Sequence, residues 1–384
     1  MKDINLLNYL SENNIDIPNG FNISVVRLPS KLNKSLEINR AKEENRHANM
    51  KFTFSNPNYS GLGDKFEWAQ SCIIVSYSYV SENNSNLGFL PGRGSVARFA
   101  KEDYYIPLKQ FINQIKEHFK KNNLRTAEFI DNPKHYDRLF FEQSGLGWQG
   151  KSTMMLSPGK GPWQLIGNIY VEQKFDLAIE KDYSCGSCNL CQISCPTGAL
   201  DEEFILDSNK CISYWLQSPD IIPHDMRAKI GNRFYGCDEC LISCPPGQGV
   251  ATYHDIDTSV DLVQVLNSDS YDLVELYNWF YIPKRNGDYL KRNAIIALAN
   301  NPSSDTKDVF INLLKSNSDL VRFYCIWGLW KIGEFEIVSQ YLDIKNEKSE
   351  MILQEYQRLN EMIYSNKKSI LNLWLNFQMT LRKE

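Results

Sequence analysis

The chain has 384 residues, 42% of them hydrophobic and 23% charged, with a net charge of −4. That length exceeds one ordinary core and predicts two or three domains. The acidic balance excludes nucleic-acid binding through overall charge, so any such surface must be a local basic patch.

The first residues, MKDINLLNYLSENNIDIP, are polar and amphipathic. They lack the apolar core of a secretory leader. No stretch approaches the roughly 20 apolar residues of a membrane span. A cytoplasmic monomer without a membrane partner is expected.

Residues 1–180 read as an α/β domain. Cys72–Tyr79 and Trp163–Val171 are rich in β-branched and aromatic residues and predict strands. Between them, Leu108, Phe111, Ile112, Ile115 and Phe119 fall near the i, i+3, i+4, i+7 spacing of an amphipathic helix over Leu108–Lys121. Residues 181–257 form a compact cysteine module punctuated by Pro and Gly. Residues 258–384 read as all-helical. There Leu290–Asn300 is echoed by Leu320–Trp330, with Leu290 matching Leu320, Arg292 matching Arg322 and Ile296 matching Ile326. A period of about 30 residues suits a helical solenoid repeat, although such units usually need about three copies.

Eight of the ten cysteines lie between Cys185 and Cys244. Cys72 and Cys325 sit in apolar runs and read as core residues. The first run is Cys185-x2-Cys188-x2-Cys191-x3-Cys195-Pro196, which matches the bacterial ferredoxin pattern residue for residue. Three thiolates on one tight loop reach three irons of a cubane, and the fourth ligates the other cluster. The second run, Cys237-x2-Cys240-x3-Cys244-Pro245, keeps the closing pattern but lacks the middle ligand. Cys211 can supply it. By the crossover logic one [4Fe–4S] cluster takes Cys185, Cys188, Cys191 and Cys244, and a second takes Cys237, Cys240, Cys195 and Cys211. Structural zinc also accepts four thiolates, but two interleaved quartets with Cys-Pro endings favour clusters.

Further blocks surround this module: Arg98-Phe-Ala with Asp103-Tyr-Tyr, Glu128-Phe-Ile-Asp131, Asp137-Arg138, Gly145-Leu-Gly-Trp-Gln-Gly-Lys151-Ser152-Thr153, and Ile230-Gly-Asn-Arg233-Phe-Tyr-Gly-Cys237-Asp-Glu-Cys240. Their order resembles the epoxyqueuosine reductases, cobalamin-dependent iron–sulfur enzymes of queuosine formation in tRNA, over nearly the whole chain. The resemblance implies an α+β multidomain protein. Its parts would be an N-terminal α/β cobalamin-binding domain, a bacterial ferredoxin-like module with two [4Fe–4S] clusters, and a C-terminal all-α HEAT-like repeat domain that binds tRNA. It implies base-off cob(II)alamin, a tRNA carrying epoxyqueuosine as substrate, and an external low-potential electron donor. The epoxide would become an alkene with loss of water.

Carried onto this chain, the resemblance makes Asp131 the proton donor, with its pKa raised by burial in a closed site. Without the resemblance, Asp131-Asn-Pro reads as a helix N-cap. Lys151, Ser152 and Thr153 match the stretch that lines the cobalamin. Gly236, Asp238 and Glu239 belong to the stretch where the second cluster nears the corrin. Phe99-Ala-Lys-Glu-Asp-Tyr-Tyr105 departs from the family's run by one missing residue and a missing His. For tRNA phosphates the candidates are Lys284, Arg285, Lys291, Arg292 and Arg322, with Lys331 nearby. Arg292 and Arg322 also read as repeat-structural, because they recur at equivalent positions.

Other readings compete. Gly145–Ser152 fits both a dinucleotide fingerprint and a Walker A pattern, but no strand leads into it and no helix signal opens after it. The five histidines show no metal spacing, and His135 is expected at the surface. A reductive dehalogenase would share corrin and clusters, yet calls for a twin-arginine export signal. A plain ferredoxin leaves most of the chain without a task.

Overall fold

The computed structural model describes residues 4–28, 35–50, 66–79, 90–132, 135–179, 181–248 and 259–381. In chain order the strands are β1 (Phe21–Val26), β2 (Ser71–Ser78), β3 (Arg93–Val96), β4 (Thr126–Ile130), β5 (Trp148–Gln149), β6 (Met155–Leu156), β7 (Gln164–Val171), β8 (Arg233–Tyr235) and β9 (Ser259–Asp261). The chain forms two compact units. The first comprises Met1–Asn86, Ala97–Trp215 and Gly236–Asp257; the second comprises Leu87–Val96, Leu216–Tyr235 and Thr258–Glu384. The cysteine segment up to Trp215 is therefore part of the first unit, as are Gly236 to Cys244.

The first unit is built on a four-stranded sheet of order β1-β2-β7-β4. Every pairing in it is antiparallel, with Ile73 opposite Ile169 and Ile130 opposite Gly167. The unit mixes helices and strands as expected, without the parallel pairing of an alternating α/β domain. Both faces are covered, which explains why β2 reads as a continuous apolar run. Ile73, Val75, Ile169 and Val171 meet Leu108, Phe111, Ile112, Ile115 and Phe119 of the helix Tyr105–Lys121 on one face. Cys72, Ile74 and Tyr170 meet Phe140 and Phe141 of the helix Asp137–Gln143 on the other. Cys72 is fully buried, as its apolar run implied.

His135 corrects its expected surface position, being 6% exposed between the rings of Phe129 and Phe140. Asn168 Nδ2 donates to its Nε2 at 2.6 Å, which leaves Nδ1–H facing the Tyr170 hydroxyl at 3.3 Å. The aromatic run around it supplies this slot, and only a neutral ring fits both partners.

The second unit holds the sheet β8-β3-β9 and a set of helices. Among the described residues of 258–384, the regular elements are helices apart from β9. The echoed segments are the helices Asp288–Asn300 and Asp319–Lys331, which pack on each other with Ile296 and Ile326 both fully buried. Cys325 is fully buried beside Ile326. Among the described residues no helix is long and apolar enough to cross a membrane.

Full burial overturns the assignment of Arg292 to tRNA, and Arg322 is held by neighbouring groups. Arg292 is fully buried. Its Nη1 donates to the carbonyls of Ser218 (2.7 Å) and Asp220 (3.2 Å), and Nη2 to that of Leu216 (3.2 Å). Arg322 Nη1 donates to the Ser316 carbonyl at 2.6 Å, and Nη2 pairs with Asp319 and Glu347. Burial closes the Arg292 guanidinium to a phosphate, and the Arg322 guanidinium is paired with two carboxylates.

Two outcomes follow from these buried groups. Arg292→Met removes a donor from the Ser218 and Asp220 carbonyls, while the Leu216 carbonyl keeps Asn293 Nδ2 at 2.8 Å, and should cost about 2–4 kcal/mol, read as a lower urea midpoint. For His135, burial lowers the pKa to about 3 from 6.5. The unfolded chain takes up a proton between those values that the folded chain refuses, so stability falls as pH drops below about 6.5. Each unit of the gap is worth about 1.4 kcal/mol. His135→Gln should therefore lose less stability than wild type between pH 6.5 and 4, measured as the pH dependence of the unfolding midpoint.

Candidate active site and metal centre

The first cysteine run folds as a tight loop and a short helix. Gly186 takes φ 51°, and Cys188 N–H donates to the Cys185 carbonyl at 3.1 Å. Cys191 lies on the helix Leu190–Ser194, and Cys195 follows it in extended conformation. The second run repeats the device, with Cys240 on the helix Glu239–Ile242 and Cys244 extended just beyond it. These two helices pack together. The hydroxyls of Ser194 and Ser243 meet at 2.8 Å, and Ser194 Oγ also donates to the Glu239 carbonyl at 3.2 Å. The serines precede equivalent cysteines in the repeated Ile-Ser-Cys-Pro, a signal that sequence reasoning passed over.

The crossing brings the thiols into two sets. Cys244 feels the charge of Cys185, Cys191 and Cys188, and Cys191 that of Cys185 and Cys188. Cys240 feels Cys237, Cys211 and Cys195, and Cys211 feels Cys195. Burial, followed by the neighbouring sulfurs, pushes Cys244 up to about 12 and Cys240 well above its ordinary value. Cys195 is also half-buried, yet the Thr197 hydroxyl and the N–H groups of residues 197–199 outweigh that and lower it. Among the described residues, no three His, Cys, Asp or Glu side chains converge on a single ion. Two sets of four soft ligands spaced this way suit polynuclear iron–sulfur groups.

Asp131 follows β4 directly, exposed and at φ 48°. A non-glycine residue in this region stores strain. The next helix begins at Asp137 with Tyr136 at its cap, so Asp131 does not cap it. The burial expected of Asp131 belongs instead to Asp137. Burial raises the Asp137 carboxyl, and the Asp131 charge adds to the effect. The Tyr105 hydroxyl is pushed up by burial first, then by Asp131 and Asp137. The neighbouring Arg138 donates from Nη1 to the Thr153 carbonyl at 3.0 Å, and Thr153 itself takes φ 68°. The end of β4, the start of helix 105–121 and the Thr153 turn therefore meet.

Residues 145–157 form the β5–β6 hairpin, with Trp148 opposite Leu156. A Cβ at Gly145 would strike the Ile179 carbonyl, and one at Gly147 the Leu156 carbonyl. The glycines permit close packing of protein on protein, not a phosphate cradle between strand and helix. Lys151 is 7% exposed. Its Nζ donates to the Gly186 carbonyl at 2.8 Å and pairs with Glu203 at 2.6 Å. It is thus a contact of the first cysteine loop. Ser152 is buried beside it.

Gly236 sits at φ 72°, where an added Cβ would lie 2.5 Å from Ala97 Cβ. Asp238 Oδ2 accepts from Arg98 N–H at 2.7 Å, which joins the Arg98-Phe-Ala and Gly236–Cys240 blocks. Glu239 is half-buried on the same turn. Met154, Tyr104 and Cys240 pack on one cluster around Tyr79, Trp163 and Leu241. That cluster connects the hairpin and the start of helix 105–121 to a thiol of the second set.

In the second unit, Lys284 and Arg285 are exposed and take φ 54° and 48°. Lys291 is half-buried and Lys331 exposed. Trp279 (36%) and Tyr281 (57%) are exposed on the same short stretch.

A family model for a 4Fe-4S double cluster binding domain matches residues 184–247. Epoxyqueuosine reductase of Bacillus anthracis is 29% identical over 314 residues, covering 78% of this chain and 82% of the relative. That of Aliivibrio fischeri is 30% identical over 266 residues, covering 65% of this chain and 69% of the relative. A crystal structure of an epoxyqueuosine reductase with an epoxyqueuosine-modified tRNA stem loop shares the fold, with a TM-score of 0.77 at 23% identity, over 94% of this chain and 99% of that one. The chain belongs to the epoxyqueuosine reductase family.

Proposed function

We propose that this chain reduces epoxyqueuosine to queuosine at the wobble position of tRNA. Its three segments would divide the work, with residues 1–180 holding cobalamin, 181–257 two [4Fe–4S] clusters and 258–384 the tRNA. Two electrons and two protons are consumed, and the epoxide oxygen leaves as water. The observation that carries the reading is the packed cluster linking Met154 and Tyr104 to Cys240, in the unit that also bears Asp131.

The donor set fits the implied groups. The thiol sets 185/188/191/244 and 195/211/237/240 suit two clusters that pass single electrons from an external low-potential donor. Base-off cobalamin would supply a low-potential cobalt nucleophile for the epoxide. Thr153, Gly236, Asp238 and Glu239 would line it, with Met154 and Tyr104 as apolar surface. Asp131 is exposed at a strained backbone position, which suits a group that must reach a substrate atom. It donates the proton to the leaving oxygen. Asp137 beside it adds a carboxyl whose protonated form burial favours.

For tRNA, Lys284, Arg285 and Lys291 would neutralise phosphates, with the modified base turned out toward the acid. A cytoplasmic monomer suits this substrate.

The test of the activity is nucleoside mass spectrometry after anaerobic incubation with cobalamin, a strong reductant and an epoxyqueuosine stem loop. Queuosine should form only with cobalamin present; no product from protein loaded with iron and corrin removes the proposal. Asp131→Asn should lower turnover by about 100-fold or more while cobalamin and stem loop still bind. Near-wild-type turnover ends its role as acid. Lys284→Glu with Arg285→Glu should weaken stem-loop binding. Each lost phosphate contact should flatten the dependence of log affinity on log salt by about 0.7–0.9. An unchanged slope places the tRNA elsewhere.

A further inference from the structure

The β5–β6 hairpin carries two groups onto the first cysteine loop that the reaction above does not use. Trp148 Nε1 donates to Cys185 Sγ at 3.4 Å, with its ring held near Tyr183. Lys151 Nζ donates to the Gly186 carbonyl inside the Cys185–Cys188 loop. The ammonium is nearly buried, and its counter-ion Glu203 is half outside, with side-chain exposures of 8% and 52%. Glu203 first, then the charges of Cys185 and Cys188, hold the ammonium above its ordinary range.

The surrounding backbone keeps this arrangement in place. Phe204 N–H donates to the Lys151 carbonyl at 3.1 Å. Glu202 and Ile205 bridge to close the turn that presents Glu203. Phe204 itself takes φ 63°, a conformation rarely tolerated by a bulky residue. A solvated surface lysine needs none of this.

Reduction of a [4Fe–4S] cluster adds one electron and therefore one negative charge, with no bond made or broken. A fixed cation and an N–H donor at a ligand sulfur both favour the more negative state. We infer that Lys151 and Trp148 raise the reduction potential of the cluster on Cys185, Cys188, Cys191 and Cys244, and that Glu203 trims the effect. The inference rests on the cluster reading proposed above. In that role the hairpin makes the first cluster the easier one to fill from the external donor. Lys151, Trp148 and Glu203 are positioning residues that touch neither substrate nor cobalt.

The test is an EPR-monitored redox titration of the anaerobically reconstituted full-length protein, with iron per chain measured on each sample. In Lys151→Met the ratio of reduced to oxidised first cluster at the wild-type midpoint should fall about tenfold, equal to about 59 mV for one electron. Trp148→Phe keeps the ring and should shift the ratio the same way by less. Glu203→Gln removes the counter-charge and should shift it the opposite way. Lys151→Arg should stay near wild type, and the second cluster should not move in any variant.

A merely structural role predicts no such reversal of sign. Equal or same-direction shifts in Lys151→Met and Glu203→Gln, at full iron content, overturn the inference alone. Should Lys151→Met fail to hold iron, the opposite shifts of Glu203→Gln and Trp148→Phe decide the question by the same criterion. A wild-type chain that takes up no iron overturns the cluster reading and this inference with it.

Discussion

The Ser194–Ser243 contact joins two helices of five and four residues. Helices that short have no standing of their own, and the first buries no side chain. What holds them is the crossing itself, in which each helix ends in a cysteine that serves the other's loop. Much of the first unit is arranged around that crossing. The 44–49 segment is pinned to the 201–211 segment through Arg46 and Asp201 at 2.7 Å and through Ser208 N–H to the Arg46 carbonyl at 2.8 Å. The β5–β6 hairpin closes on the first loop through Lys151 and Trp148. Asp238, between two ligands, fastens the second loop to the Arg98 backbone. Metal binding to such a module is folding energy as much as cofactor uptake.

The thiols and the carboxyls occupy different parts of the first unit's sequence. Cys240 of the second thiol set packs on the cluster around Trp163, and Asp131 and Asp137 act on the Tyr105 hydroxyl at the end of β4. Met154 and Tyr104 belong to the same packed cluster as Cys240.

Much of this was legible in the residues. The strands Cys72–Tyr79 and Trp163–Val171 and the helix from Leu108 stand where periodicity put them, because burial on both sheet faces leaves an unbroken apolar run. The cysteine spacing suggested two quartets, and the thiols that neighbour Cys244 and Cys240 fall into the same groupings. Long-range partners were not legible. Arg292 looks like a basic surface residue until three carbonyls from residues 216–220 are seen to claim it. Lys151 follows the glycine-rich block by one residue, and only the fold shows that it turns to Gly186. His135 lies beside Asp131 in sequence, yet Asn168 and Tyr170 of β7 draw it into the core. Asp131 itself gave two readings, and the helix start at Asp137 removed the cap. The repeated Ile-Ser-Cys-Pro could have revealed the serine contact, had the residues around the cysteines been compared as well as their spacing.

The crossing is tested most directly by Cys211→Ser, the ligand outside both runs. Iron analysis and EPR of the reduced protein read it. The account predicts half the wild-type iron and the spectrum of one isolated [4Fe–4S] cluster, free of broadening by a neighbour, because only the set with Cys195, Cys237 and Cys240 is broken. Full iron with both clusters intact, or loss of both together, would contradict the interleaved assignment.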